Sequence, residues 1–263
     1  DLIIARNVIP HVEHIHSILK GIKNLITKKG VVAIEFHYLS EIIKGLQYDS
    51  IYHEHIYYFS LKSISNLFKE YGLFAFDFDK SPISGGSIVL YFSSKIKKKS
   101  LKLIKLEKIE KINKLNNFKT LKSFGKKCIK HRDNLSKLVN NLSGKLYGYG
   151  ASARSSTLLN FAKIDYRKVQ FIMDKNKLKY GFYTPGTKIK IMKFLFVFCF
   201  VLFLWCSNFF HGIILLFCIC VSHPFVFVGH SLSFLHFFRP CRYHACMSAR
   251  SRCSMTDGHK QTL

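Results

Sequence analysis

At 263 residues, 48% of them hydrophobic and 15% aromatic, the chain has enough apolar material to build a core, which excludes disorder along its whole length. Forty-one Lys and Arg against 15 Asp and Glu give a formal net charge of +26, so nucleic acid or an anionic membrane is the first partner that composition raises. The average conceals two different texts. Through Ile191 there are 35 basic and 14 acidic residues and one cysteine, Cys128. Beyond it stand a single acidic residue, Asp257, seven of the eight cysteines and 13 of the 25 Phe. Those cysteines include no C-x-x-C pair, so ordinary zinc spacing is absent and no metal ligands are assigned. A nearly cysteine-free, Lys-rich body with no signal peptide at its start reads as cytoplasmic.

Leu2 to Ala5 reads as a short buried strand and Val31 to Phe36 as a β-branched second one. Between them Ile15, Ile18, Leu19, Ile22, Leu25 and Ile26 recur at helical spacing, and Lys28-Lys29-Gly30 is expected to close the helix with a C-terminal glycine. Strand, helix, strand predicts an α/β fold with a parallel sheet. Gln47 to Ser60 is rich in Tyr and His without a clear period. Leu61 to Tyr71 then predicts a helix capped by Ser60 and stopped by Gly72, and Leu73 to Phe78 and Ser87 to Phe92 a hairpin-like pair of strands. Residues 95–142 read as one or two long helices with a solvated Lys face. The charge there lacks interleaved Arg and aromatic residues, which argues against nucleic acid.

A second α/β unit starts at Lys145. Leu146-Tyr147-Gly148 ends a strand, Gly150 turns the chain, a helix runs from about Ala153 to Phe161, and Val169 to Met173 forms the next strand, ending in Asp174. The Gly148-x-Gly150-x-x-Ala153 turn either cradles a phosphate on free helix-start N–H groups or is a tight turn that needs glycine for geometry. The expected domains are 1–94, a helical connector 95–144, a partial unit 145–191 and an apolar tail 192–263. From Phe194 to Val221 the tail is long and apolar enough for a membrane span. Out-of-frame or read-through translation of AT-rich DNA is the preferred alternative.

Chemistry concentrates in Tyr52-His53-Glu54-His55, because histidine titrates near neutrality and a neighbouring carboxylate can fix its tautomer. The i, i+2 histidines lack helical zinc spacing. His11, beside Pro10 in the first strand-to-helix loop, is placed to point into a cleft, whereas His14 and His16 belong to a solvated helix start.

Asp49 to Ser60, Pro82-Ile83-Ser84-Gly85-Gly86-Ser87 and Tyr147-Gly148-Tyr149-Gly150-Ala151-Ser152-Ala153-Arg154 occur in order, with Asn7 to Val12 before them and Pro185-Gly186-Thr187 after. Together they make the chain similar to the S-adenosylmethionine-dependent sugar C-methyltransferases, over Asp1 to about Ile191. The resemblance implies the second half of a Rossmann-like methyltransferase sheet followed by a partial second α/β domain. It also implies methyl transfer to carbon of a nucleotide-linked 4-keto sugar through an enolate. On the same grounds His55 is the base, Glu54 and Tyr52 line the sugar pocket, His11 assists from the opposite wall, and Gly148, Gly150 and Ser152 contact substrate. No cofactor-binding residue is assigned, since the family's glycine-rich S-adenosylmethionine loop and its cysteine-rich zinc module are expected ahead of Asp1. A membrane-tethered, non-catalytic basic α/β protein is the competing reading. A nicotinamide oxidoreductase rests on the Gly148 turn alone.

Overall fold

A computed structural model of the protein describes residues 1–193, 215–220 and 223–228. Strand β1 (Leu2–Arg6), helix α1 (Ile15–Leu25) and strand β2 (Val31–His37) follow one another, and β1 and β2 pair in parallel in the register Leu2 to Val31 through Arg6 to Glu35. Helix α1 buries Ile15, Leu19 and Ile22, but Ile18 and Leu25 of the expected apolar stripe face solvent, because the sheet covers only a narrow strip of the helix. Gly30 is not the helix cap: α1 ends at Leu25, and Gly30 lies where a Cβ would meet the Ile26 side chain and the Asp1 carbonyl. Its glycine answers a close approach rather than a left-handed turn.

After β2 come α2 (Leu39–Lys44), a 3-10 turn Tyr48–Ser50 and α3 (Leu61–Lys69). Ser60 and Ser63 form a reciprocal capping box at the start of α3, as the sequence predicts. The hairpin β3 (Phe74–Ser81) and β4 (Ser87–Ser93) is antiparallel, and β4 inserts between β2 and β3, so the order is β1-β2-β4-β3 and the sheet is mixed. One core fills the space between this sheet and α1, α3 and α4 (Leu101–Ile112), with Ile34, Phe36, Ile64, Phe68, Leu90 and Phe92 fully buried. The Phe68 and Phe92 rings stack with centroids 4.1 Å apart. Truncating a ring so enclosed to Ala costs about 3–5 kcal/mol.

The Lys-rich connector is α4 and α5 (Phe118–Asn141), and it is not purely a solvated face. Glu110 on α4 is buried, and its carboxylate accepts from the Leu61 and Lys62 amides at the start of α3 (2.8 and 3.1 Å), from the Tyr38 hydroxyl (2.8 Å) and from Asn116 Nδ2 (2.8 Å). A buried charge is tolerated where donors surround it, and the helix start adds a favourable dipole.

The second sheet holds β5 (Leu146–Tyr149), β6 (Val169–Asp174), β7 (Lys190–Lys193), β8 (Leu215–Cys220) and β9 (His223–Val228) in the order β7-β6-β5-β8-β9. All neighbours are parallel except β8 and β9. Helix α6 (Ala153–Phe161) and α5 pack on it through Leu158, Leu159, Leu135 and Val139. Most of the apolar run 194–221 lies outside the described residues, and its segment Leu215–Cys220 is a strand of this sheet rather than the end of a helix. Among the described residues no helix is long and apolar enough to cross a membrane.

Candidate active site

Two loops at the carboxyl ends of β1 and β2 build the site. After β1 the chain turns at Asn7, whose φ of 52° is one that Asn adopts more readily than most residues, into a 3-10 turn Ile9–His11 with Pro10 in its first turn. After β2 the segment 51–58 returns to that turn: the Ile56 and Tyr57 amides both donate to the Pro10 carbonyl, at 2.9 and 3.2 Å. Backbone hydrogen bonds therefore bring His11 to the Tyr52–His55 cluster.

The rings of His11 and His55 meet edge-on with centroids 4.7 Å apart. His55 Nδ1 lies 2.9 Å from the Ser50 carbonyl, and His11 Nδ1 lies 2.9 Å from the Glu54 carbonyl. A carbonyl only accepts, so each Nδ1 carries the proton and each Nε2 presents its lone pair. Into those lone pairs donate the Tyr52 hydroxyl (3.2 Å, His55) and Asn7 Nδ2 (3.2 Å, His11). Burial lowers the His55 pKa from its ordinary value, the Ser50 hydrogen bond and the Glu54 carboxylate act against it, and the neighbouring His11 ring and the Arg154 charge act with it. The imidazole is thus held neutral at pH 7 and in one tautomer, which are the two requirements of a general base acting through Nε2.

Tyr52 stacks obliquely on His55 at 4.4 Å, and partial burial raises its own pKa, so its phenol stays protonated. Glu54 contributes differently from expectation. Its side chain is 60% exposed, with the carboxylate 3.9 Å from the outward-facing His53, and what reaches the histidine pair is its backbone carbonyl. His14 and His16 are exposed at the start of α1, where His16 Nδ1 meets the Tyr71 hydroxyl at 2.6 Å.

The second unit reaches this cluster through Arg154 at the start of α6. Its guanidinium makes a two-point ion pair with Asp49, Nε to Oδ2 at 2.7 Å and Nη2 to Oδ1 at 2.9 Å, and Nη1 donates to the Ser84 carbonyl at 3.3 Å. Tyr48, next to Asp49, inserts into the second unit's core, with its hydroxyl 2.9 Å from His131 Nδ1 and its ring against Phe161.

The glycine turn that aims Arg154 engages its own polar groups. The Gly150 amide donates to the Met173 carbonyl (2.7 Å), the Ala151 amide to Asp174 Oδ2 (2.8 Å), and Ser152 forms a capping box with Ser155. Lys179 Nζ completes the closure on Asp174 (3.1 Å) and the Ala151 carbonyl (2.7 Å). At Gly148 a Cβ would stand 2.7 Å from Ile172 Cγ1, and Gly150 has φ 92°. These contacts fit the tight-turn alternative for Gly148-x-Gly150-x-x-Ala153: the Gly150, Ala151 and Ser152 amides already have partners within the protein.

Sequence reasoning passed over His37, Asp49 and Ser50. His37 is 6% exposed, neither ring nitrogen has a bonding partner, and burial, reinforced by the Arg154 charge, lowers its pKa to about 4. A buried neutral imidazole without partners costs stability, which marks the carboxyl end of β2 as a place adapted to something other than packing. For S-adenosylmethionine the fit is poor: the turn that follows β1, Asn7 to His11, contains no glycine and no acidic side chain to hold a ribose.

Residues 1–74 match the family model described as a methyltransferase domain, and residues 82–195 match the one described as a C-methyltransferase C-terminal domain. The C-methyltransferase NovU of Streptomyces niveus is 31% identical over 195 residues, a match that covers 72% of this chain and 46% of that protein. The chain thus spans about half the length of the curated relative it matches. The first match contains the loop cluster and the second contains Arg154, and the chain belongs to the C-methyltransferase family.

Proposed function

We propose that this chain supplies the substrate-activating half of an S-adenosylmethionine-dependent C-methyltransferase that acts on a nucleotide-linked keto-sugar. The observation that carries the reading is the neutral imidazole of His55, locked by the Ser50 carbonyl, with His11 against its edge and an Nε2 that takes a proton once the Tyr52 hydroxyl turns away from it. His55 Nε2 removes the proton on the carbon α to the ketone. The Tyr52 hydroxyl, already a donor at that nitrogen, turns to the developing enolate oxygen and stabilises its charge. His11 faces the same space from the turn after β1 and donates or accepts as the sugar requires. S-adenosylmethionine provides the methyl group; the residues described here bind, orient and deprotonate.

Proton exchange at the α carbon tests this directly, with the N-terminal half of a C-methyltransferase fused ahead of Asp1. In D₂O and without cofactor the sugar should exchange its α proton, and His55→Asn should slow both exchange and turnover about 10²–10⁴-fold while substrate affinity changes far less. Exchange that persists undiminished in His55→Asn removes His55 from the role of base. Because the His55 pKa is lowered, the acid limb of the rate profile should lie below the ordinary histidine value, with activity lost as the ring protonates. Calorimetry on the 263-residue chain itself should detect no S-adenosylmethionine binding.

A further inference from the structure

We infer that Arg154 is a positioning residue for His55, acting through Asp49 and the Tyr48–Ser50 turn. The inference rests on the proposed function for its catalytic meaning, but its physical content concerns only the orientation of one imidazole.

The Ser50 carbonyl that fixes the His55 tautomer belongs to a three-residue 3-10 turn. A piece of backbone that short has little stability of its own, and its N-cap makes no side-chain hydrogen bond. What holds it comes from the second unit. Tyr48 is 7% exposed within the second unit's core, and Asp49, whose side chain is 13% exposed, takes both prongs of the Arg154 fork. Ser50 is 1% exposed, and its hydroxyl bonds back to the Gln47 carbonyl at 2.7 Å. Each residue of the turn is therefore tied, and two of the three ties run to elements about a hundred residues later in the chain. A planar two-point pair fixes direction as well as distance, which a lysine in the same place does not.

Arg154 also adds to the charge around the ring, as the smallest of the influences on the His55 pKa. Facing His55 are His11, Tyr52, Tyr58, Glu54 and Arg154, with His37 and Asp49 in the same surroundings. Of these Arg154 carries the permanent positive charge, which opposes protonation of the base, and Asp49 tempers it. The two partners of the ion pair therefore act in the same sense on geometry and in opposite senses on basicity.

That opposition gives the experiment, which reads the histidine rather than turnover. The 263-residue chain, labelled with ¹⁵N-histidine, is titrated by NMR, with His55 assigned through its loss in His55→Asn. In the parent chain His55 should show one tautomer, protonated at Nδ1. Arg154→Gln should give a tautomer mixture and raise the titration midpoint, whereas Asp49→Asn should also mix the tautomers but lower the midpoint. Arg154→Lys should restore the midpoint without restoring the single tautomer. A general loss of structure would move both midpoints toward the solvent value and cannot produce opposite signs. If Arg154→Gln fails to fold by circular dichroism, Asp49→Asn, which keeps the side-chain shape, decides by the same readouts. A single Nδ1–H tautomer with an unmoved midpoint in a folded Arg154→Gln or Asp49→Asn chain overturns the inference. The expected NMR changes combined with undiminished α-proton exchange in His55→Asn would instead leave the positioning intact and reject His55 as the base.

Discussion

The segment Gln47 to Ser60 and the turn Gly148 to Ala153 invert each other. The first has no hydrophobic period and no recognisable backbone signature, yet its carbonyls at Ser50 and Glu54 set the tautomers of both site histidines. The second carries a glycine pattern that resembles a nucleotide-binding turn, yet its amides bond to Met173, Asp174 and Ser155 within the protein. A motif announces a backbone shape, and shape is compatible with either a ligand or a neighbour. Which one occupies it depends on a residue some 20 positions on, here Asp174, whose carboxylate closes the turn instead of reaching a ribose.

The largest effect that separates the two regions is expected at Asp174. Replacing it by Ala strips the Ala151 amide and Lys179 of their partner, which should destabilise the chain by about 3 kcal/mol in chemical denaturation. The Asn176 amide and Lys179 hold the folded-state pKa of Asp174 below the ordinary carboxylate value, against burial that acts to raise it. Its contribution is therefore complete above the unfolded-state pKa and disappears as pH falls through the lowered folded one. Asp174→Asn should flatten the acid side of the stability profile. If Asp174→Ala instead keeps its stability and gains affinity for inorganic pyrophosphate, the turn is a ligand site and the contrast collapses.

Tyr52→Phe sharpens the other side. It deletes one hydrogen bond at His55 Nε2, so α-proton exchange should fall about tenfold, roughly 1.4 kcal/mol, and far less than in His55→Asn. The smallest effect is expected for His53→Ala. With 86% of its side chain exposed, the change should stay within about 0.5 kcal/mol in stability and leave exchange untouched, despite a position between Tyr52 and Glu54 that makes it look indispensable in the sequence.

Much of the scaffold was readable because it follows local rules. β-branched runs became β1 and β2, and Ser60 became a cap because its hydroxyl accepts from the Ser63 amide of its own helix start. The helix α2 escaped notice because six residues without a side-chain cap leave no periodic trace. Strand β7 escaped because Lys190–Lys193 has one buried residue and owes its form to pairing with β6. At the site, the histidines were legible as residue types. Their orientation was not, since a backbone carbonyl has no letter in the sequence, and neither was the link from Arg154 to Asp49, 105 positions apart.

The placement of β4 bears on where the first sheet is completed. The two family matches divide the chain between residues 74 and 82, within the hairpin, but β4 on the far side of that division sits in the middle of the first sheet. The first match ends at Phe74, where β3 begins, so taken alone it leaves β2 with an open edge and Phe68 without the ring it stacks against. The segment matched as the second domain therefore completes the sheet of the first, since β4 pairs with β2 and its Phe92 covers Phe68.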